Sequence, residues 1–455
     1  MIPMNILPAL LSFALLLQSI EAVFAEPVAA WRTGFSRDDI TPSSSMWMSG
    51  YAARDHASEG TRTRLWAKAL ALEDAKGKRA LLVTLDLVGV SRDVTDPLRH
   101  EIAVNHQLGL KDVLINCSHT HTGPVVGENL RSMYILEENE SQKLLNYTRQ
   151  LKERLVELAD AAFSNLEASR LRAGQSQATF ATNRRENPQS HVLAWRASGK
   201  LKGPVDYSVP ILEIRDMDHQ LKGLVFGYAC HATVLSDYQW SGDYPGFAQI
   251  QLESQYDGIQ AMFWAGCGAD INPLPRRTAA LAEQYGGELA QAVTQGIKGV
   301  MDEVSPTLRT DYTEIPLLFA PMPSREDLET EAQSDNPYAA SRAQKWMNHM
   351  NQGHPLPTSY PYPIGLWRLG NQVKWLTMGG EVVVDFALTF KQTYGRDLWI
   401  AGYSHDIMGY IPSRRIWNEG GYEGGGAMVY YGQPTRWSQD VEHQISLAVK
   451  RLMSK

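Results

Sequence analysis

The sequence predicts an α/β protein with mixed, largely parallel sheets carrying helices on their faces, and three observations predict it. Short continuous apolar runs at 80–90, 113–117, 209–214, 224–230, 260–265, 373–378 and 398–403 read as strands buried on both faces. Helical periods fall between them, at 96–106, 142–163, 278–297, 325–350 and 438–452. Of the 455 residues, 44% are apolar and 20% charged, with 36 Gly and 23 Pro, which excludes collagen-like, coiled-coil and wholly disordered chains.

The N-terminus stands apart from this pattern. Residues 6–20 are apolar and uncharged, and Val23-Phe24-Ala25 supplies compact residues where a signal peptidase reads. Pro8, Ser12, Gln18 and Ser19 interrupt the run, and a spanning helix needs about 20 apolar residues. We therefore expect a signal peptide at 1–25, no stable membrane span, and a secreted or periplasmic protein with a single domain over 26–455. Residues 316–363, richer in Pro, Ser, Asn and charge, form an expected insertion or lid. The sequence says nothing of oligomeric state.

Charge and cysteine content narrow the class. Lys and Arg number 43 against 50 Asp and Glu, for a net −7 without long single-sign runs, so a nucleic-acid partner is excluded. Cys117, Cys230 and Cys267 are too few and too odd in number for a disulfide scaffold, and are read as three buried thiols.

Five segments carry candidate chemistry. Ile115–Pro124, INCSHTHTGP, ends an apolar strand in His119 and His121, and extended backbone would turn both imidazoles to one side. Ligands gather at the carboxyl ends of strands in α/β sheets. In 227–246 His231 follows a second strand. Asp237 and Asp243 are available to orient imidazoles, although Asp243 precedes a helix and is better placed to cap it. In 263–275 a Gly-Cys-Gly turn precedes Asp270 and Asn272, and its free N–H groups suit an anion or a carbonyl oxygen. Glu381 follows a strand and a double glycine in 378–387. Finally, 401–425 holds His405, Tyr410 and Tyr422 beside the GGYEGGG run. Two His and one Glu form a frequent ligand set for catalytic zinc, with a position left for water. No HExxH, paired CxxC, P-loop, GxSxG or GxGxxG pattern is present.

Taken in order, these residues resemble the neutral/alkaline ceramidase family, zinc enzymes that hydrolyse the N-acyl amide bond of ceramide. The resemblance runs through Gly50-Tyr51, TLDLVGVS, SHTHTGP, Asn183-Arg184, the His231 strand with Ser241 to Asp243, DINP, Gly380-Glu381 and GYIP…YEGG. It implies a neutral-ceramidase-like catalytic domain with His119, His231, Glu381 and Tyr410 as Zn2+ ligands. It further implies His121 as a non-ligand active-site histidine, Arg184 lining the site and Tyr422 contacting the scissile amide. Two departures stand out. Asn272 replaces the serine of the family's DVSP, and Asn cannot form an acyl-enzyme through a hydroxyl. The C-terminal immunoglobulin-like domain of longer members is not in this sequence, so the likeness is to a short ceramidase-like hydrolase. His405 also stands where the family usually has Asn.

The expected function is therefore a zinc hydrolase of N-acyl amides acting on a small-molecule, lipid or glycan substrate. An ester or glycosidic hydrolase remains an alternative, the twelve Trp suiting a sugar-stacking cleft. A zinc-containing binding protein without turnover is another.

Overall fold

The computed structural model describes residues 30–455, and the leader expected at 1–25 lies outside the described residues. The molecule is a mixed α/β structure built around two sheets. Across the larger sheet the strands run Gln260–Ala265, Leu221–Tyr228, Ser208–Asp216, Glu167–Gln177, Trp31–Asp39, Trp66–Glu73, Arg79–Leu85 and Val113–Cys117. The share of parallel pairs is smaller than the sequence suggests. Within this sheet Gln260–Ala265 pairs parallel with Leu221–Tyr228, and Arg79–Leu85 with Val113–Cys117, while the strands between are antiparallel. The second sheet comprises Leu308–Leu318, Ser359–Leu369, Val373–Met378 and Trp399–Ala401, the last two parallel.

The extra antiparallel strands are those without an apolar run. Glu167–Gln177 and Leu308–Leu318 alternate buried with exposed residues, so neither stands out as continuously apolar. Trp66–Glu73 (WAKALALE) is rich in helix formers, yet it is buried between two strands, with Lys68 neutralised by Glu253 at 2.7 Å. Sheet neighbours override local propensity there. The helix expected over 325–350 is two helices, Arg325–Glu331 and Pro337–Asn351. The second starts at Pro337, with the Asn336 side chain accepting from the N–H groups of Tyr338 and Ala339.

One face of the larger sheet packs on the second sheet through an indole-rich layer that includes Trp31, Trp264, Trp367, Trp375 and Trp399. These Trp belong to the core rather than to a sugar-stacking cleft. Burying one such side chain contributes about 3 kcal/mol. Helices Glu138–Ser164 and Ala279–Lys298 cover the opposite face, and Val441–Met453 covers the second sheet. All three cysteines are free and buried, and burial raises each thiol pKa.

This architecture brings the carboxyl ends of strands from both sheets together. The two edge strands of the larger sheet meet where Asn116 Oδ1 accepts from the N–H of Ala265 at 2.9 Å. Bridges from Asn116 to Ser404 and from Gly266 to Ala401 tie the second sheet to the same place.

Candidate metal centre

His119, His231 and Glu381 follow the ends of Val113–Cys117, Leu221–Tyr228 and Val373–Met378 and converge. His119 Nε2 lies 3.1 Å and His231 Nε2 3.0 Å from Glu381 Oε2, and all three side chains are buried. Tyr410 Oη is 3.3 Å from His231 Nε2, and His121 Nε2 is 3.1 Å from His119 Nε2. The imidazoles of His119, His121 and His231 also form a cluster of ligating atoms on their own.

The two sets differ in how the rings are held. His119 Nδ1 donates to Val88 O at 2.5 Å, and His231 Nδ1 donates to Gly268 O at 2.7 Å. A carbonyl only accepts, so each ring carries a proton on Nδ1 and turns Nε2 inward. Burial first, and Arg184 next, push the His231 pKa down to about 4, so that ring is neutral near pH 7. The lone pair of His231 Nε2 thus faces an anionic carboxylate at hydrogen-bond distance, with His119 Nε2 beside it, an arrangement that a cation among the three relieves. Bonds of about 2.0–2.2 Å to a tetrahedral zinc imply donor separations of roughly 3.3–3.6 Å, close to those found here. The donor set therefore fits zinc. His121 differs: its Nδ1 is buried without a partner, where metal-ligating histidines usually donate that N–H to a carbonyl or carboxylate.

Aspartates do not orient these imidazoles. Asp237 pairs with Arg62, and Asp243 accepts from the N–H groups of Leu235 and Tyr244 at the start of its helix. Two backbone carbonyls do that work, and residue type gives no sign of them.

The route into the cluster also differs from the extended geometry expected for His119-Thr120-His121. His119 has φ 62°, so the chain turns in the left-handed region just beyond its strand. Tyr403 at φ 48° and His405 at φ 66° do the same beyond theirs, conformations that cost about 1–3 kcal/mol each. Tyr403 packs against His119 with the rings tilted and their centroids 4.4 Å apart, and its hydroxyl points at Glu381 Oε2 from 3.5 Å. The hydroxyl of Tyr431 donates to Glu381 Oε1. The sequence reading missed both tyrosines, since a lone Tyr carries no spacing signal.

Around this centre Arg184 is fixed on three sides. Its Nε donates to Glu423 at 2.7 Å, Nη2 to Tyr410 Oη at 3.2 Å and Nη1 to Asn272 Oδ1 at 3.4 Å. Asn272 also accepts from Thr233, and Asp270 Oδ1 accepts from the N–H of Val384. Burial opposes the charge on Arg184, but Tyr410 and Glu423 outweigh it and raise its pKa well above the usual value. Tyr422 lies at the rim, 43% exposed, with its ring 5.2 Å from that of Tyr410. His405 faces elsewhere, edge-on to Tyr312 at 5.5 Å.

Residues 31–294, more than half of the chain, match the family model for the N-terminal region of neutral/alkaline non-lysosomal ceramidases. The chain belongs to this family. Among curated ceramidases, the neutral ceramidase of Pseudomonas aeruginosa is 26% identical over 275 residues, covering 57% of this chain and 40% of that protein. The Drosophila melanogaster neutral ceramidase is 25% identical over 242 residues, 50% and 33% of the two chains. The matches thus span less than half the length of either ceramidase. The crystal structure of the P. aeruginosa neutral ceramidase superposes with a TM-score of 0.70 at 18% identity, over 93% of this chain and 73% of that one. A ceramidase structure described as complexed with C2 gives 0.68 at 16% identity, over 93% and 76%. At these identities the structural likeness speaks for the ceramidase fold alone.

Proposed function

We propose that this chain is an exported zinc hydrolase cleaving an N-acyl amide bond, with His119, His231, Glu381 and Tyr410 holding the metal. One observation carries the reading: two imidazole Nε2 atoms and a carboxylate oxygen converge at 3.0–3.1 Å, both rings being locked by backbone carbonyls. When bound, zinc supplies Lewis acidity and lowers the pKa of water from about 15.7 to about 7.

The protein groups divide the remaining work. Burial, followed by the neighbouring imidazoles, lowers the His121 pKa well below the usual value and keeps its ring neutral. A neutral ring has a nitrogen free to accept a proton from the attacking water and pass it to the departing amine, and its place beside His119 puts it in reach. Arg184, anchored by Glu423, directs N–H groups at the oxygen that becomes negative, and such a donor contributes about 3–4 kcal/mol. Asn272 has no hydroxyl to acylate, so attack by water accounts for the chemistry and Asn272 orients Arg184. Tyr422 at the rim receives the amide. A glycosidase would use two carboxylates as acid and base, but Glu381 sits among the imidazoles and Glu423 is paired with Arg184 and Arg185.

The test is a panel of N-acyl amides, esters and glycosides, offered to purified protein with and without a chelator. Amide hydrolysis lost on chelation and restored by zinc is expected. Chelator-resistant hydrolysis, turnover of glycosides alone, or zinc binding with no turnover overturns it.

A further inference from the structure

We propose that Arg54, Arg276 and Arg277 form an oxyanion-binding subsite beside His121, so that the amide substrate carries a carboxylate or phosphate on its amine side. The inference deepens the amide-hydrolase reading and rests on it.

Tyr51 is the hinge of this cluster. Its ring centroid lies 4.7 Å from that of His121, and the guanidinium carbons of Arg54 and Arg277 each lie 4.9 Å from the same ring. One aromatic ring therefore separates the proton-transfer histidine from two cations. Arg277 Nη1 donates to Tyr51 Oη at 2.8 Å, and Tyr51 Oη donates to Leu235 O at 2.9 Å. Arg276 donates from Nε to Gln189 at 3.3 Å.

These arginines have no direct ion-pair partner. Among the described residues no carboxylate oxygen comes within 4.0 Å of Arg54, Arg276 or Arg277, whereas Arg184 and Arg185 nearby are both paired. Arg54 is buried, and among the described residues only the carbonyls of Ser49 and Asp237 accept from it while its Nε has no partner. Asp243 is engaged by the N–H groups of Leu235 and Tyr244. Burial first, then Arg277, lowers the pKa of Arg276 against the pull of Tyr51 and Asp243, as expected where crowding by other cations outweighs the nearest anion.

Backbone strain points the same way. Arg277 has φ 92°, a conformation natural to glycine, and its N–H donates to Val234 O in the loop that follows His231. The chain thus holds an exposed arginine beside the candidate centre in an unfavourable conformation. Carboxylate and phosphate are the groups that a guanidinium fork recognises. Hydrolysing a ceramide releases a cationic amine, which such a mouth repels. An amine bearing an acidic group is attracted.

The experiment compares kcat/KM for N-lauroyl ethanolamine, N-lauroyl glutamate and N-lauroyl ethanolamine phosphate, at low and high salt. The two acidic probes separate carboxylate from phosphate as the recognised group. At least a tenfold preference for one acidic amide is expected, shrinking with salt, and Arg277→Gln should cut that ratio about tenfold. Arg276→Gln is the second variant should the first fail to fold. Equal ratios in wild type and both variants, or preference for the neutral amide, overturn the subsite. If none of the amides turns over, the hydrolase reading fails, and calorimetric binding of the same probes to the zinc-loaded protein still decides the subsite. Acidic probes binding tightly, and weakly to Arg277→Gln, support it, whereas equal binding of all three rejects it.

Discussion

The imidazole of His121 rests against the α-carbon of Gly50. A Cβ at that position would lie 2.4 Å from His121 Nδ1 and 2.6 Å from its Cγ, and Gly50 has φ 99°, which only glycine adopts freely. The Gly50-Tyr51 pair therefore shapes one wall of the candidate site: Gly50 makes room for the imidazole, and Tyr51 packs on the same ring. Gly50→Ala should push His121 aside and lower kcat/KM about 100-fold while zinc content stays at wild-type level, as metal analysis would show. Unchanged turnover would remove His121 from the chemistry.

Removing His119 and removing His121 should have different effects. His119→Ala loses both bound zinc and turnover. His121→Ala keeps zinc and loses about 100-fold or more in kcat. Metal analysis beside steady-state kinetics separates them, and loss of zinc from His121→Ala would make that residue a ligand, as the cluster of three imidazoles also allows.

Tyr431 donates to Glu381 Oε1 and so fixes the carboxylate whose other oxygen faces the two histidines. Tyr431→Phe should weaken zinc affinity about 10–100-fold in a chelator competition, with the folded structure retained by circular dichroism.

Asp406 gives a pH dependence away from the cluster. Burial raises its pKa from 3.8 to about 7, against the pull of Tyr360 and Arg92. Between those values the native state binds a proton that the unfolded chain does not, so this carboxyl favours folding below pH 4 and loses that contribution as pH rises through 7. Asp406→Asn removes the ionisation. The Tm difference between variant and wild type should therefore shift in favour of the variant from pH 4.5 to pH 8. A constant difference would show that Asp406 titrates normally.

Much of the candidate site was legible because its residues sit where strands end. His119, His231 and Glu381 each follow an apolar run, whereas Asn272 stands in the short strand Ile271–Pro273 and Arg184 was indicated only by the family resemblance. The mixed α/β class was legible for the same reason. Strands such as Glu167–Gln177 were not, because their buried residues alternate with polar ones and their stability comes from neighbours remote in sequence. The extended backbone expected at His119 gave way to a left-handed turn, since the chain must leave the sheet there.

The sequence by itself determined which side chains with metal or proton chemistry stand at strand ends, and the family to which their order belongs. Only the tertiary structure decided how they are held. The proton on each candidate ligand histidine is set by a carbonyl, Val88 O or Gly268 O, and the set of Glu381 by Tyr431, 50 residues along the chain. A carbonyl is present at every residue, so its direction follows from the backbone path and not from residue identity. Where His121 can lie depends likewise on an atom that Gly50 lacks.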